Sequence, residues 1–210
     1  MNADAALAPA KHDPFAGPPL SGRVPLTESQ REIWLAAQMH SEAAVAYNEG
    51  LAISLHGELD VAALGAAVDQ LVQRQPLLRA GVSPNGRWIS VGEPRGGSLQ
   101  HTPGDLESAE REEMARPFDL EQGPLMRFRL VTLAPQEHVL LMIAHHVMVD
   151  GWSYATLLQE LGRLYTAQVE GGAAPLPEVQ PFADYVEAER RFVESAEGQR
   201  HADYWLKQLE

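Results

Sequence analysis

The stretch "HHVMVDG", residues 145–151, combines residue types that can move protons. An unperturbed imidazole has a pKa of about 6.5, so it is mostly neutral and able to act as a base near pH 7. General-base catalysis by a positioned group is typically worth about 10²- to 10⁴-fold in rate. A carboxylate, Asp150, follows four residues after His146, and Gly151 comes next. This pattern indicates a site that transfers a proton or positions a reacting group.

The apolar run "HVLLMIA", residues 138–144, leads directly into the histidine pair and predicts a central strand covered on both faces. Successive side chains on a strand point to opposite faces. If the strand continues through the pair, His145 and His146 point apart and cannot contact one reacting atom together. The two histidines should therefore have different roles, and a metal bound by both is disfavoured. The alternation does not decide which histidine has which role.

Each residue after the pair also has an ordinary structural explanation. Asp150 is suited to cap the helix predicted from Trp152 onward, because a carboxylate accepts bonds from the first free N–H groups of a helix. Gly151 suits a positive φ or close backbone packing. Trp152 begins a helical face that is expected to turn inward, so we expect its indole to pack in the core. The four residues His145, His146, Asp150 and Gly151 are far less expected together by chance than any one of them alone.

Strand and helix patterns alternate along the chain, which predicts a layered α/β sandwich. Thr27 is a predicted N-cap with Gln30 as its capping-box partner, and Asp60 is a predicted N-cap for a helix that Pro76 ends. A loop is predicted for residues 92–104 from their Gly and Pro content, and an exposed charged helix follows it. Strand patterns lie at 51–57, 78–82, 87–91, 125–133 and 138–144, and helical patterns lie at 26–39, 60–76, 105–119, 152–168 and 181–210.

Composition narrows the partners. The chain has 210 residues, no cysteine and a net charge of −13. An acidic surface argues against binding nucleic acid or an anionic membrane, and the lack of cysteine fits a reducing cytoplasm. No apolar run approaches the length of a membrane span. Residues 1–24, rich in Ala, Pro and Gly, are predicted to be a flexible leader or linker, with one domain at 25–210.

With these residues in place, "HHVMVDG" resembles the HHxxxDG signature of nonribosomal peptide synthetase condensation domains. "LTESQREIWLAAQ" resembles the opening helix of that family, and "FDLEQGPLMRFRLV" resembles the segment before its active-site strand. "QRQPLLRAGV" is similar to the RHExLRTxF segment, with Arg74, Leu78 and Arg79 kept and with Gln75-Pro76 in place of His-Glu. We do not assign catalysis to either arginine. The resemblance covers about residues 25–210.

The resemblance implies a chloramphenicol acetyltransferase-like fold with two lobes and an active site between them. This chain would be the N-terminal lobe, and the C-terminal lobe would be its missing partner. The reaction would join an acyl or peptidyl thioester on a donor carrier protein to an aminoacyl thioester on an acceptor carrier protein. Both substrates would arrive on phosphopantetheine arms, with no cofactor or metal bound by the chain itself. The isolated lobe is expected to be inactive.

The resemblance also implies roles for single residues. His146 would face the tunnel, where it accepts the proton of the amine or orients it, and His145 would be structural. Asp150 would pair with an arginine of the missing lobe, and Gly151 would leave room for the acceptor arm. Ser153 would either contact that arm or cap the helix, and Trp152 beside it is the other candidate substrate-binding residue.

Two other functions stay open. An epimerisation domain shares HHxxxDG but inverts a Cα centre, although "DGWS" and the opening helix favour condensation. A non-catalytic fragment that only docks a carrier protein or recruits a partner is the second alternative. Heterocyclisation is disfavoured because both histidines and Gly151 are intact.

Overall fold

A computed structural model describes residues 23–39, 43–93 and 96–209. Its strands are β1 (Arg23–Pro25), β2 (Asn48–His56), β3 (Ala80–Val82), β4 (Trp88–Val91), β5 (Leu99–Pro103), β6 (Met126–Ala134) and β7 (Glu137–His145). Its helices are α1 (Glu28–Ala37), α2 (Ala43–Ala46), α3 (Val61–Arg74), α4 (Leu106–Ala115), α5 (Gly151–Glu170), α6 (Phe182–Glu194) and α7 (Ala196–Leu209), with a 3₁₀ turn at Pro76–Arg79. None of these described helices has the length and apolar character of a membrane span.

The mixture of layered helices and sheets confirms the predicted α/β class. The leader prediction needs a correction at its end, because the last two residues of the range 1–24 belong to β1, which pairs with β4. Residues 1–22 lie outside the described part of the chain.

Helix starts follow the local signals in the sequence. The Thr27 side chain accepts a hydrogen bond from the Gln30 N–H while the Gln30 side chain accepts one from the Thr27 N–H, so the predicted capping box is confirmed. Asp60 caps α3 by accepting from the N–H of Ala63, also as predicted. α3 ends just before Pro76, whose ring cannot continue an α-helix.

The main sheet has the strand order β2-β7-β6-β5, so β7 is central as predicted. β7 runs antiparallel to both of its neighbours, and Asn48 of β2 lies opposite His145. A smaller antiparallel sheet has the order β1-β4-β3. The central position of β7 explains its continuous apolar run, because both faces of the strand are buried.

The loop prediction for residues 92–104 is wrong over Leu99–Pro103, which form β5. This strand pairs in parallel with β6, from Leu99 opposite Phe128 to Pro103 opposite Thr132. It lies at the edge of the sheet, where few apolar residues are needed and a terminal proline is tolerated. Its hydrogen bonds come from a segment distant in sequence, so the local Gly and Pro signals could not reveal it.

Helices cover the sheet on both faces. α4 contacts β2, β6 and β7, and a Cβ added to Gly50 would lie 2.9 Å from the Ile143 side chain and 3.0 Å from Met114 of α4. α3 and α5 pack side by side and contribute buried leucines to the core shared with β7. α4 is not simply an exposed charged helix as predicted, because Glu113 is buried and pairs with Arg127 at 2.9 Å.

Candidate active site

The histidine motif forms the connection between β7 and α5. β7 ends at His145, and α5 begins at Gly151. The residues between them turn back on themselves, with the N–H of Met148 donating to the His145 carbonyl at 3.0 Å. Gln30 of α1 donates from Nε2 to the Val147 carbonyl at 2.9 Å. The capping-box glutamine therefore also holds the loop that carries the site.

His145 is fully buried, with 0% of its surface exposed. Its Nδ1 accepts a hydrogen bond from the Val147 N–H at 3.2 Å, which places the proton of the neutral ring on Nε2. The ring packs against Tyr47 and edge-on against Phe118, with centroid distances of 6.1 and 6.2 Å. Burial lowers the pKa of His145 from 6.5 to about 4, and the neighbouring His146 adds to the shift. The His145 ring therefore packs inside the structure and is bonded to the loop that follows it.

The hydrogen bonding of His146 favours the opposite tautomer. Its Nδ1 lies 3.0 Å from the Val149 carbonyl and 3.0 Å from Oε1 of Glu49. Both of these groups can only accept, so Nδ1 carries the proton and Nε2 of the neutral ring keeps its lone pair. About a third of the side chain, 35%, is exposed. His146 can therefore present a hydrogen-bond acceptor, and a base, to a molecule outside the lobe.

The two imidazoles point apart, as the alternation of a strand requires. β7 ends at His145, but its pairing with the β2 segment continues for one more residue, because the His146 N–H donates to the carbonyl of Tyr47, the residue just before β2, at 2.9 Å. This extra bond keeps the alternation through the pair. One ring faces the interior and the other faces outward.

Asp150 is the N-cap of α5, as the structural explanation predicted. Its Oδ1 accepts from the Ser153 N–H at 2.8 Å and from the Ser153 hydroxyl at 2.6 Å. The pKa of the Asp150 carboxyl lies below its ordinary value, chiefly because the Ser153 hydroxyl and then the Ser153 N–H stabilise the charged form. Ser153 is thus engaged with the cap in this lobe.

Two structural expectations for the next residues are wrong. Gly151 has neither a positive φ nor close packing: a Cβ built there meets nothing within 4 Å. Trp152 does not pack in the core, since 85% of its surface is exposed. Trp152 carries the first side chain of α5, and this side chain points away from the core. Open space at Gly151 and an exposed indole at Trp152 therefore lie at the start of the helix that follows the histidine loop.

Glu49 is the site residue that the sequence prediction missed. It lies on β2, on the face that also carries Leu51 and Ile53, and its side chain reaches His146. The available signal was a carboxylate at an alternating position otherwise occupied by apolar residues. Arg74 and Arg79 lie elsewhere: Arg74 pairs with Glu160, and Arg79 donates to backbone carbonyls such as that of Gly92.

Comparison with known proteins identifies the class to which this fold and site belong. The family model of the condensation domain matches residues 21–210. The nonribosomal peptide synthetase kk1B of Curvularia clavata is 33% identical over 207 residues, which are 94% of this chain and 2% of that protein. The chain therefore belongs to the condensation-domain family.

Solved structures agree with this membership. The first condensation domain of the calcium-dependent antibiotic synthetase, in complex with a substrate analogue, has a TM-score of 0.81 and 25% identity, covering 90% of this chain and 48% of that chain. The X-domain from teicoplanin biosynthesis, in complex with OxyB, has a TM-score of 0.74 and 29% identity, covering 87% and 40%. The chain thus spans less than half the length of each of these solved chains.

Proposed function

We propose that this chain is the N-terminal, HHxxxDG-bearing lobe of a condensation domain that forms an amide from two thioesters on carrier proteins. The donor carrier would bring the acyl or peptidyl thioester, and the acceptor carrier would bring the aminoacyl thioester, each on a phosphopantetheine arm. The observation that carries the proposal is the state of His146. Its Nδ1 is held by two acceptors, so its Nε2 lone pair is left for the amine.

The step balances in atoms and protons. The amine nitrogen of the acceptor attacks the donor thioester carbonyl, the C–N bond forms, and the C–S bond breaks. One proton leaves the amine nitrogen through the Nε2 position of His146 and ends on the departing sulfur. Because both arms are tethered, alignment supplies a large part of the acceleration, and His146 need only hold the amine in line while the charge moves.

Open and apolar parts of the surface suit a second lobe and an arriving arm. Gly151, five residues after His146, leaves open space at the start of α5, and the exposed Trp152 offers an apolar surface to the arm. α7 exposes Trp205 and Leu206, with 61% and 64% of their surfaces accessible, which suits cover by further protein. We propose that the isolated chain is inactive, and that Asp150 meets a cation of the second lobe.

The test is amide formation by the intact condensation domain with both carriers loaded. We expect His146→Ala to lower the rate by about 10²-fold or more, within the range of positioned acid–base groups. His146→Gln separates two roles, because its amide oxygen can accept a hydrogen bond but cannot take a proton. His56→Gln, at an exposed position on the same sheet, is the matched control. An undiminished rate in His146→Ala would contradict an essential role for this residue.

Partner recruitment is a second candidate function, favoured by the similarity to the X-domain, which was solved in complex with OxyB. A domain of that kind would bind a partner without forming a new amide from loaded carriers. Racemised aminoacyl thioester without amide would instead favour epimerisation. The same assay, analysed for amide and for stereochemistry, separates these outcomes.

A further inference from the structure

We propose that Glu49 is a positioning residue for His146, which stabilises the positive charge on that ring when Nε2 takes the proton of the amine. This inference rests on the proposed function and deepens it. Oε1 of Glu49 lies 3.0 Å from Nδ1 of His146, on the side of the ring opposite the reacting nitrogen. No lysine or arginine in the described part of the chain forms an ion pair with Glu49, so the contact with His146 is not a by-product of a larger charge network.

The strand register explains why these two side chains meet. Glu49 lies opposite Ala144, and the bond from the His146 N–H to the Tyr47 carbonyl extends the pairing by one residue. Glu49 and His146 are therefore diagonal neighbours on one face of the antiparallel pair, a distance that long side chains span. A shift of one residue in either strand would separate them.

A second element fixes the backbone of Glu49. The Tyr154 hydroxyl of α5 donates to the Glu49 carbonyl at 2.9 Å. Burial raises the pKa of Tyr154 well above its ordinary value, and the Glu49 carboxylate adds to the shift, so the hydroxyl keeps its proton and remains a donor. Glu49 is thus held by both β7 and α5, the two elements that flank the histidine loop.

The two groups near Nδ1 of His146 have different effects on the ring. The Val149 carbonyl takes the hydrogen bond and selects the tautomer, at 3.0 Å. The Glu49 carboxylate adds a full negative charge at the same nitrogen. Asp150 also interacts with the charge of His146, but its carboxylate is bonded to Ser153 and forms no ion pair with the ring in the described part of the chain. His145 is buried and neutral. The charge of Glu49 gains value only as the imidazolium forms, so it should act on kcat and leave KM unchanged.

The first test measures condensation by the intact domain with loaded carriers. We expect Glu49→Gln to lower kcat by about 5-fold, the upper end of what a partly exposed ion pair supplies, without changing KM for either carrier. Glu49→Asp, which keeps the charge, should restore part of the loss. Glu58→Gln, an exposed carboxylate just after the same strand, is the matched control and should have no effect.

A double-mutant cycle shows whether Glu49 acts through the histidine. In the His146→Ala background, Glu49→Gln should cause no further loss. A full 5-fold loss in that background would overturn the proposal, because Glu49 would then act independently. If instead the wild-type domain forms no amide, or His146→Ala forms it at an undiminished rate, the proposed function fails. A separate measurement then tests whether Glu49 interacts with the charge of His146.

That measurement needs no activity. In the 210-residue chain, the NMR shift of the Glu49 carboxyl carbon should change in step with the His146 ring as pH is varied. The change should vanish in His146→Ala and persist in His56→Gln. A carboxyl signal indifferent to the protonation of His146 would overturn the proposal.

Discussion

Acid should weaken this fold through one buried ring, and His145→Gln should remove that effect. In the unfolded chain His145 binds a proton near pH 6.5, whereas in the fold burial holds its pKa at about 4. Between these two values the unfolded state binds more protons, so the free energy of unfolding falls as the pH falls. The stability associated with His145 is complete above pH 6.5 and is lost progressively down to about pH 4.

The size of the effect follows from the interval. One pH unit corresponds to about 1.36 kcal/mol, and the interval is about 2.5 units, so the loss is about 3 kcal/mol. Other groups also titrate in this range, and those far from His145 should do so equally in the wild type and in the variant. The charge of His146 contributes to the shift of His145, so the difference between the two proteins measures His145 together with this coupling.

Urea unfolding of the 210-residue chain at pH values from 7 to 4 measures this difference. Glutamine can still accept the Val147 N–H but cannot be protonated, so His145→Gln should be less stable than the wild type at pH 7. The gap should then narrow by about 3 kcal/mol on going to pH 4. The exposed control His56→Gln should follow the wild type. Parallel curves for His145→Gln and the wild type would show that protonation of His145 does not weaken the fold.

Three further predictions concern the loop and its surroundings. Gln30→Ala removes the capping-box bond and the bond to Val147, so urea unfolding should show a loss of about 1–2 kcal/mol, whereas Glu32→Ala on the same helix should not. Gly151→Ala should change the free energy of unfolding by no more than about 0.5 kcal/mol, because the added carbon meets nothing within 4 Å. Gly151→Val should lower the rate of amide formation by the intact domain, because the larger side chain blocks the acceptor arm. An unchanged rate would contradict the passage of the arm through this space. Trp152→Ala should also leave the free energy of unfolding nearly unchanged, because the indole is 85% exposed. The same change should raise KM for the acceptor carrier, and an unchanged KM would show that Trp152 does not contact the acceptor arm.

Local rules in the sequence predicted much of the scaffold. The caps at Thr27, Asp60 and Asp150 depend on bonds to residues three positions away, so sequence spacing is sufficient to find them. The divergence of His145 and His146 depends on backbone alternation, which is also local. These features could be predicted because the groups that satisfy them are neighbours in the chain.

The missed features depend on contacts between distant segments. β5 exists because β6 supplies its hydrogen bonds, and Glu49 joins the site because the strand register places it beside His146. The exposure of Trp152 follows from how α5 is set against the sheet, which an apolar residue at a helix start does not reveal. The alternating pattern of β2 marked Glu49 as unusual, because the other positions on its face are apolar. Only the register of β2 against β7 shows that its partner is His146.

The most direct test of the account is the tautomer of each neighbouring histidine, measured by ¹⁵N NMR of the imidazole nitrogens at a pH where both rings are neutral. We expect opposite tautomers: His145 protonated on Nε2, because its Nδ1 accepts from the Val147 N–H, and His146 protonated on Nδ1, because the Val149 carbonyl accepts from it and the Glu49 carboxylate lies 3.0 Å away. A proton on Nε2 of His146 would contradict the account, because that nitrogen could then neither accept from an amine nor serve as a base.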